Sequence, residues 1–259
     1  MLSIAHATAL TSEDDLPFAH AVVLAFRSDA KLYSVHAGDD PRAASRIPDA
    51  NALLARWGVE GRVDHERIVH SCCEDPVDTT IDALRRLSPD LVVTGTHHRE
   101  GILRFLVGSR AEAIAEHMDA PTLIVPHEER GFVADGKLRL KRVVVPVGDP
   151  ESAHHGTERA RWLLDLAHPD AGGELILLQV GTRRAVEANL AMPSGWTCVR
   201  RQREGSVEDA IVSEAADADL IVMATRGHDS LTDALVGSHT ERVLHRAPCP
   251  VLSVPLRPS

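Results

Sequence analysis

Short runs of branched apolar residues alternate along this chain with longer stretches whose apolar residues recur every three or four positions. The runs are LSIAHAT from Leu2, KLYSVHA from Lys31, DLVVTG from Asp90, PTLIVP from Pro121, RVVVPVG from Arg142, ELILLQV from Glu174, DLIVMA from Asp219 and PVLSVP from Pro250. Each has few polar breaks, which suits a parallel strand buried on both faces. The stretches between them predict helices over residues 14–27, 78–87, 109–117, 151–167, 207–216 and 238–245, the third and last opening after a Gly-Ser pair. Strands alternating with helices imply right-handed crossovers and a parallel sheet, hence an α/β fold.

The pattern is written twice. Asp90 and Asp219, Gly108 and Gly237, and Pro121 and Pro250 are separated by the same interval, 129 residues (219 − 90, 237 − 108, 250 − 121). A repeat of this length is a duplicated domain, since solenoid units run to about 20–50 residues. The polar, glycine-containing stretch HEERGFVADGKLRLK at 127–141 reads as the linker, giving expected domains of 1–128 and 140–259.

Composition narrows the function classes. Of 259 residues 44% are hydrophobic and 25% charged, as in an ordinary globular protein, and 3% are aromatic, so the core must be built from Val, Leu, Ile and Ala. A net charge of −10 argues against gripping nucleic acid or an anionic membrane, both of which need clustered positive charge. Arginines cluster at 183–184 and 200–203, and an edge strand or a solvated face accounts for them. No basic leader with an apolar run is visible and no apolar stretch reaches spanning length, so the cytoplasm is the expected location. Cys72, Cys73, Cys198 and Cys249 form no C-x-x-C pair and are expected to be reduced.

Candidate chemistry gathers after the strand that ends at Ala224. In open α/β sheets ligands sit beyond the carboxyl ends of the strands. There Gly227 permits a tight backbone path, Gly237 opens a helix with no side chain in the way, and Ser238 and Thr240 add hydroxyls. Two readings stand for the Gly-Ser pair: a helix cap, or a phosphate site on the helix N-terminus. His70 and Cys72 alternate on one strand, and His97-His98 lie on a loop; these are zinc-ligand types. No G-x-S-x-G elbow, GK[ST] loop or H-E-x-x-H helix occurs, so no dedicated enzyme is expected. His97, His98 and His228 near the loop leave slow hydrolysis as an alternative.

The loop resembles the nucleotide loop of the universal stress protein family: Gly, two residues, Gly, nine residues, Gly, then Ser or Thr. The second half reads Ala224, Thr225-Arg226, Gly227, nine residues, Gly237, Ser238, and closes on ERVLHRAPCPVLSVP, very like the family's ending. The first half reads Gly95, Thr96-His97, His98, nine residues, Gly108, Ser109. The resemblance covers nearly the whole chain, which looks like a tandem universal stress protein.

The resemblance implies two open five-stranded parallel-sheet domains, strand order 3-2-1-4-5, flanked by helices and related by a pseudo-two-fold axis. Their last strands, Thr122–Val125 and Val251–Val254, would pair antiparallel within the chain. Some members of the family bind ATP, with the loop on the phosphates and an Asp after the first strand on the adenine. Others bind no nucleotide and act by dimerising or meeting partners. Carried onto this chain, the nucleotide site comprises Val147, Gly148, Asp149, Ala224, Thr225, Arg226, Gly227, His228, Gly237, Ser238, His239 and Thr240. A degenerate counterpart in the first half comprises Thr8, Gly95, His98, Gly108 and Ser109.

The departures locate the ligand. Gly148 stands at the family's Asp position with Asp149 one place late, and Ala224 replaces a Gly; Thr8 stands at the Asp position of the first half and His98 replaces a Gly. ATP is therefore expected mainly in the second half of a stress regulator or sensor, with an unidentified protein partner and a homodimer of tandem chains as further expectations. The alternative is a nucleotide-free interaction module of the same fold. The strand order also puts His70 and Cys72 on an edge strand, two strands from the His97-His98 loop. At about 4.8 Å per strand the gap is roughly 14 Å, so no metal is expected.

Overall fold

The computed structural model describes residues 1–71, 75–96, 110–126, 130–181, 191–226 and 237–256. The chain forms two compact units, Met1–Glu128 with Val133–Lys137, and Glu129–Phe132 with Leu138–Ser259.

The first unit runs β1 (Ser3–Ala7), α1 (Asp15–Ser28), β2 (Lys31–Ala37), α2 (Ala43–Arg46), α3 (Ala50–Arg56), β3 (His65–His70), α4 (Pro76–Leu87), β4 (Leu91–Gly95), α5 (Arg110–His117) and β5 (Thr122–Val125). Its strands lie in the order β3-β2-β1-β4-β5. The pairs from β3 to β5 are all parallel. This is the expected α/β sheet, with the strand that ends at His70 at the edge. Cys72 and His97-His98 lie outside the described residues.

Alternation across β1 divides the core into two layers. Ala5 and Ala7 pack with Ile81 and Leu84 of α4 and Ile114 of α5. Between them His6 points the other way, its ring 5.4 Å from that of Phe18 on α1. Helix α4 starts where Asp75 caps the N–H groups of Val77 and Asp78 with Pro76 in the first turn, and stops where Ser88 turns left-handed at φ 47°.

The segment 38–51 holds α2 and the start of α3. Asp49 caps α3 by accepting from Ala52 N at 2.8 Å, which orders a stretch whose prolines and charges suggest coil.

A hairpin lies in the segment joining the sheets, with Val133–Lys137 grouped in the first unit: β6 (Val133–Ala134) and β7 (Lys137–Leu138). Asp135 and Gly136 both have positive φ, 51° and 71°, as a two-residue hairpin turn demands. The stretch expected as a linker, 127–141, thus contains this hairpin.

The second unit repeats the plan with β8 (Arg142–Pro146), α6 (Pro150–Ala167), β9 (Glu174–Val180), β10 (Thr197–Arg203), α7 (Val207–Glu214), β11 (Leu220–Arg226), α8 (Gly237–Leu244) and β12 (Val251–Leu256). Strand order is β10-β9-β8-β11-β12, again parallel throughout. Helix α8 begins at Gly237, one residue ahead of the expected 238–245, and ends at Leu244. The arginines of β10 lie on an edge strand, where Glu214 accepts from Arg203 at 2.8 Å and also pairs with Arg201. Among the described residues no helix is long and apolar enough to cross a membrane.

Candidate functional site

In each unit the strand order reverses beside the first strand: between β8 and β11 in the second, between β1 and β4 in the first. At such a switch point the connections leave on opposite faces and open a crevice at the carboxyl edge.

The second unit brings several of the expected residues to that edge. Strands β8 and β11 are neighbours, with Val143 beside Leu220 and Val144 beside Ile221. Val147, Gly148 and Asp149 leave β8, and Ala224, Thr225 and Arg226 end β11. Val147 N–H continues the ladder by donating to Leu178 O at 2.8 Å. Among the described residues, a Cβ placed on Gly148 would meet nothing within 4 Å, so they leave this side of the crevice open. Thr225 Oγ1 lies 3.2 Å from Ser253 Oγ and 3.3 Å from Val254 O, which ties the end of β11 to β12.

Asp149 is the N-cap of α6. Its carboxylate accepts from Ser152 N at 2.9 Å, and Ser152 Oγ accepts from Asp149 N at 3.2 Å, with Pro150 in the first turn. This is the reciprocal capping arrangement, so Asp149 orients α6 and its position at the crevice is fixed by that duty.

Helix α8 packs on β11 and presents the first turn Gly237–Thr240. The N–H groups of a first turn have no partners within the helix, and the positive end of the helix dipole lies there. An ion pair holds α8 to α7, Arg242 to Glu208 at 2.9 Å, and Arg246, just past the end of α8, pairs with Asp209 of α7 at 2.7 Å. Gly227 and His228 fall outside the described residues, as do His98, Gly108 and Ser109 of the first half.

The first-unit edge is built differently. Thr8 is 1% exposed and its hydroxyl donates to Asp14 Oδ2 at 2.9 Å. Gly95 has a packing duty: a Cβ there would stand 2.8 Å from Pro17 Cγ at the head of α1. Asp14, Arg46 and Arg110 all bear on this edge and none was singled out from the sequence. The available signal was Thr11-Ser12-Glu13-Asp14, a hydroxyl residue followed three places later by an acid.

A Ser–His contact also lies in the first unit, and it is wired against nucleophilic use. His65 Nε2 is 2.9 Å from Ser34 Oγ, while His65 Nδ1 accepts from Ala50 N–H at 3.3 Å. Burial pulls the imidazole down to about 4, so it is neutral at pH 7. With Nδ1 the acceptor, the proton sits on Nε2, which donates to Ser34 and takes nothing from it.

A parallel α/β chain with a switch-point crevice and a glycine-led helix beside it is the class of protein this site defines. The chain belongs to the universal stress protein family, whose model matches residues 3–126 and 183–255. The match passes over β8, α6 and the start of the second crevice, where the fold is nonetheless repeated. A Thermus aquaticus universal stress protein is 34% identical over 131 residues, 46% of this chain and 93% of that protein. A Mycobacterium bovis universal stress protein is 24% identical over 200 residues, 68% of this chain; the alignment spans 65% of that relative. Two solved structures share the fold: a universal stress protein of Archaeoglobus fulgidus (TM-score 0.60, 16% identity, 98% of each chain) and a functionally unknown protein of Pseudomonas aeruginosa PAO1 (TM-score 0.66, 16% identity, 98% of this chain and 92% of that one).

Proposed function

We propose that this stress-family chain binds an adenine nucleotide, ATP, in its second unit and acts as a regulator or sensor. The observation that carries the reading is the open edge at Gly148 facing the β8–β11 switch point. The glycine-led first turn of α8 supplies backbone N–H donors for phosphate on the same unit. The phosphate half would be Gly227, His228, Gly237, Ser238, His239 and Thr240, with Ala224, Thr225 and Arg226 leading into it; Val147, Gly148 and Asp149 flank the base. Because Asp149 caps α6, the base is held loosely, and adenine is favoured little over guanine.

Gly237→Val tests the site. It should abolish ATP binding in calorimetry, whereas Gly108→Val in the first half should leave it intact. The reverse pattern would move the site to the other unit. The Asp149 cap also favours a second reading, a nucleotide-free interaction module, which takes over if the unmodified chain binds no ATP. Phosphate release during incubation with ATP would mark a slow hydrolase.

A further inference from the structure

The two units differ most where the first strand hands over to the first helix. Three residues (147–149) separate β8 from α6, and seven (8–14) separate β1 from α1. In the longer connection Leu10 is left-handed at φ 59°, a conformation that costs a leucine about 1 kcal/mol. A left-handed residue between two others turns their N–H groups toward a common point, forming an anion nest. Here Ala9 N and Thr11 N both donate to Asp14 Oδ2 at 3.0 Å, and the Thr8 hydroxyl joins them at 2.9 Å.

The surroundings fix this arrangement. Leu10 N–H donates to Thr8 Oγ1 at 2.9 Å, Arg46 donates to Leu10 O at 2.8 Å, and His36 Nδ1 lies 3.0 Å from Thr8 O. Helix capping alone would need only the Thr11 contact. The Ala9 and Thr8 bonds go beyond it. Arg110, at the head of α5, is mostly buried; burial lowers its pKa and the attraction of Asp14 opposes the shift. The cavity left beside Asp14 is about 90 Å³, lined by His6, Thr8, Phe18 and Arg46 among others. Small-molecule sites run to about 300–1,000 Å³.

We propose that Asp14 is a built-in pseudo-ligand. Its carboxylate fills the anion nest at the carboxyl end of β1, so the first unit takes no phosphorylated ligand at that edge. Removal of the carboxylate leaves a vacant site that accepts a small carboxylate anion. The contrast with Gly148, where no described residue would touch a Cβ at the same place in the second unit, carries the inference. It rests on the nucleotide reading only for the identity of what is kept out.

The full chain and formate test it, formate being the carboxylate without its tether. Asp14→Ala should melt several degrees below the unmodified protein. Formate, compared with chloride at equal ionic strength, should recover at least half of that loss. It should shift neither the unmodified protein nor Asp49→Ala, which loses an exposed cap in the same unit. Failure of formate to recover Asp14→Ala overturns the proposal. Where Asp14→Ala does not fold, Asp14→Asn replaces it: the amide protons of Ala9 and Thr11 should move upfield in NMR spectra as their charged acceptor is lost, and unmoved resonances count against the nest. Two ATP per unmodified chain also overturns the proposal. Zero ATP ends the nucleotide reading, while formate recovery still upholds the nest.

Discussion

Asp219 accepts the backbone N–H of Arg142 at 2.8 Å, and that of Lys141 at the same distance. Its repeat counterpart Asp90 accepts Ser3 N at 2.8 Å and the Ser3 hydroxyl at 3.3 Å. In each unit the residue ahead of the fourth strand thus pins the start of the first, which explains why an aspartate heads both copies. Asp219→Ala strands two backbone donors and should lower second-unit stability by about 1–3 kcal/mol; Asp90→Ala strands one and should cost less. Urea unfolding followed at Trp162 and Trp196 for the second unit and Trp57 for the first reads both. Equal losses would contradict the assignment.

Acid should weaken the first unit. His20 is fully buried, its Nδ1 donating to Leu16 O at 2.8 Å, and burial pulls it down to about 4. Unfolded, it titrates near its ordinary 6.5, so between pH 6.5 and 4 the unfolded chain binds the extra proton. Stability present above 6.5 is therefore lost as pH falls through this window, by up to about 3 kcal/mol from His20. His65 shifts the same way and adds to the loss. His20→Leu should flatten the dependence in urea melts at pH 7, 6 and 5; a slope unchanged by that substitution would remove His20 as its source.

Glu214 is the hub of the second unit's charges. Its side chain is 4% exposed and meets Arg201, Arg203 and Arg142, while Glu174 takes the remaining reach of Arg201 and Arg142. Glu214→Gln leaves the part-buried guanidinium groups of Arg142 and Arg201 and the exposed one of Arg203 facing each other and should cost about 1–3 kcal/mol. Added salt should narrow the difference from the unmodified protein, since it screens the repulsion. A neutral Glu214→Gln would mean the arginines re-pair elsewhere.

Thiol chemistry gives an independent check. Cys249 is buried and Cys198, on the edge strand β10, has its thiol pushed up by burial. Both should react slowly with a disulfide reagent in the folded protein at pH 7. Under denaturing, non-reducing conditions four free thiols are expected, Cys72 and Cys73 included. A titre of two or fewer would show disulfides.

Strands buried on both faces were the most legible part of the chain. Lys31–Ala37 and Glu174–Val180 fall where their apolar runs put them, because no surface requirement blurs the pattern. The Val133–Leu138 hairpin was overlooked although Asp135-Gly136 is a strong two-residue turn signal; its strands are too short to show alternation. Of the Asp14 nest only the capping signal at Thr11 and Asp14 is legible in the sequence. The rest depends on a left-handed leucine, and leucine does not advertise that conformation as glycine or asparagine would. Asp149 was read toward a ligand, yet Pro150 and Ser152 beside it spell a helix start, and local capping governs where its carboxylate goes.

The four extra residues between β1 and α1 bear on how the chain would report concentration. Two competent crevices would make each chain a pair of receptors able to influence one another. With one filled from within, as proposed, and the other binding the nucleotide, a chain would answer once, its occupancy following ligand hyperbolically and without a threshold. Dose and response would then stay proportionate at low ligand, the behaviour of a gauge and not of a switch.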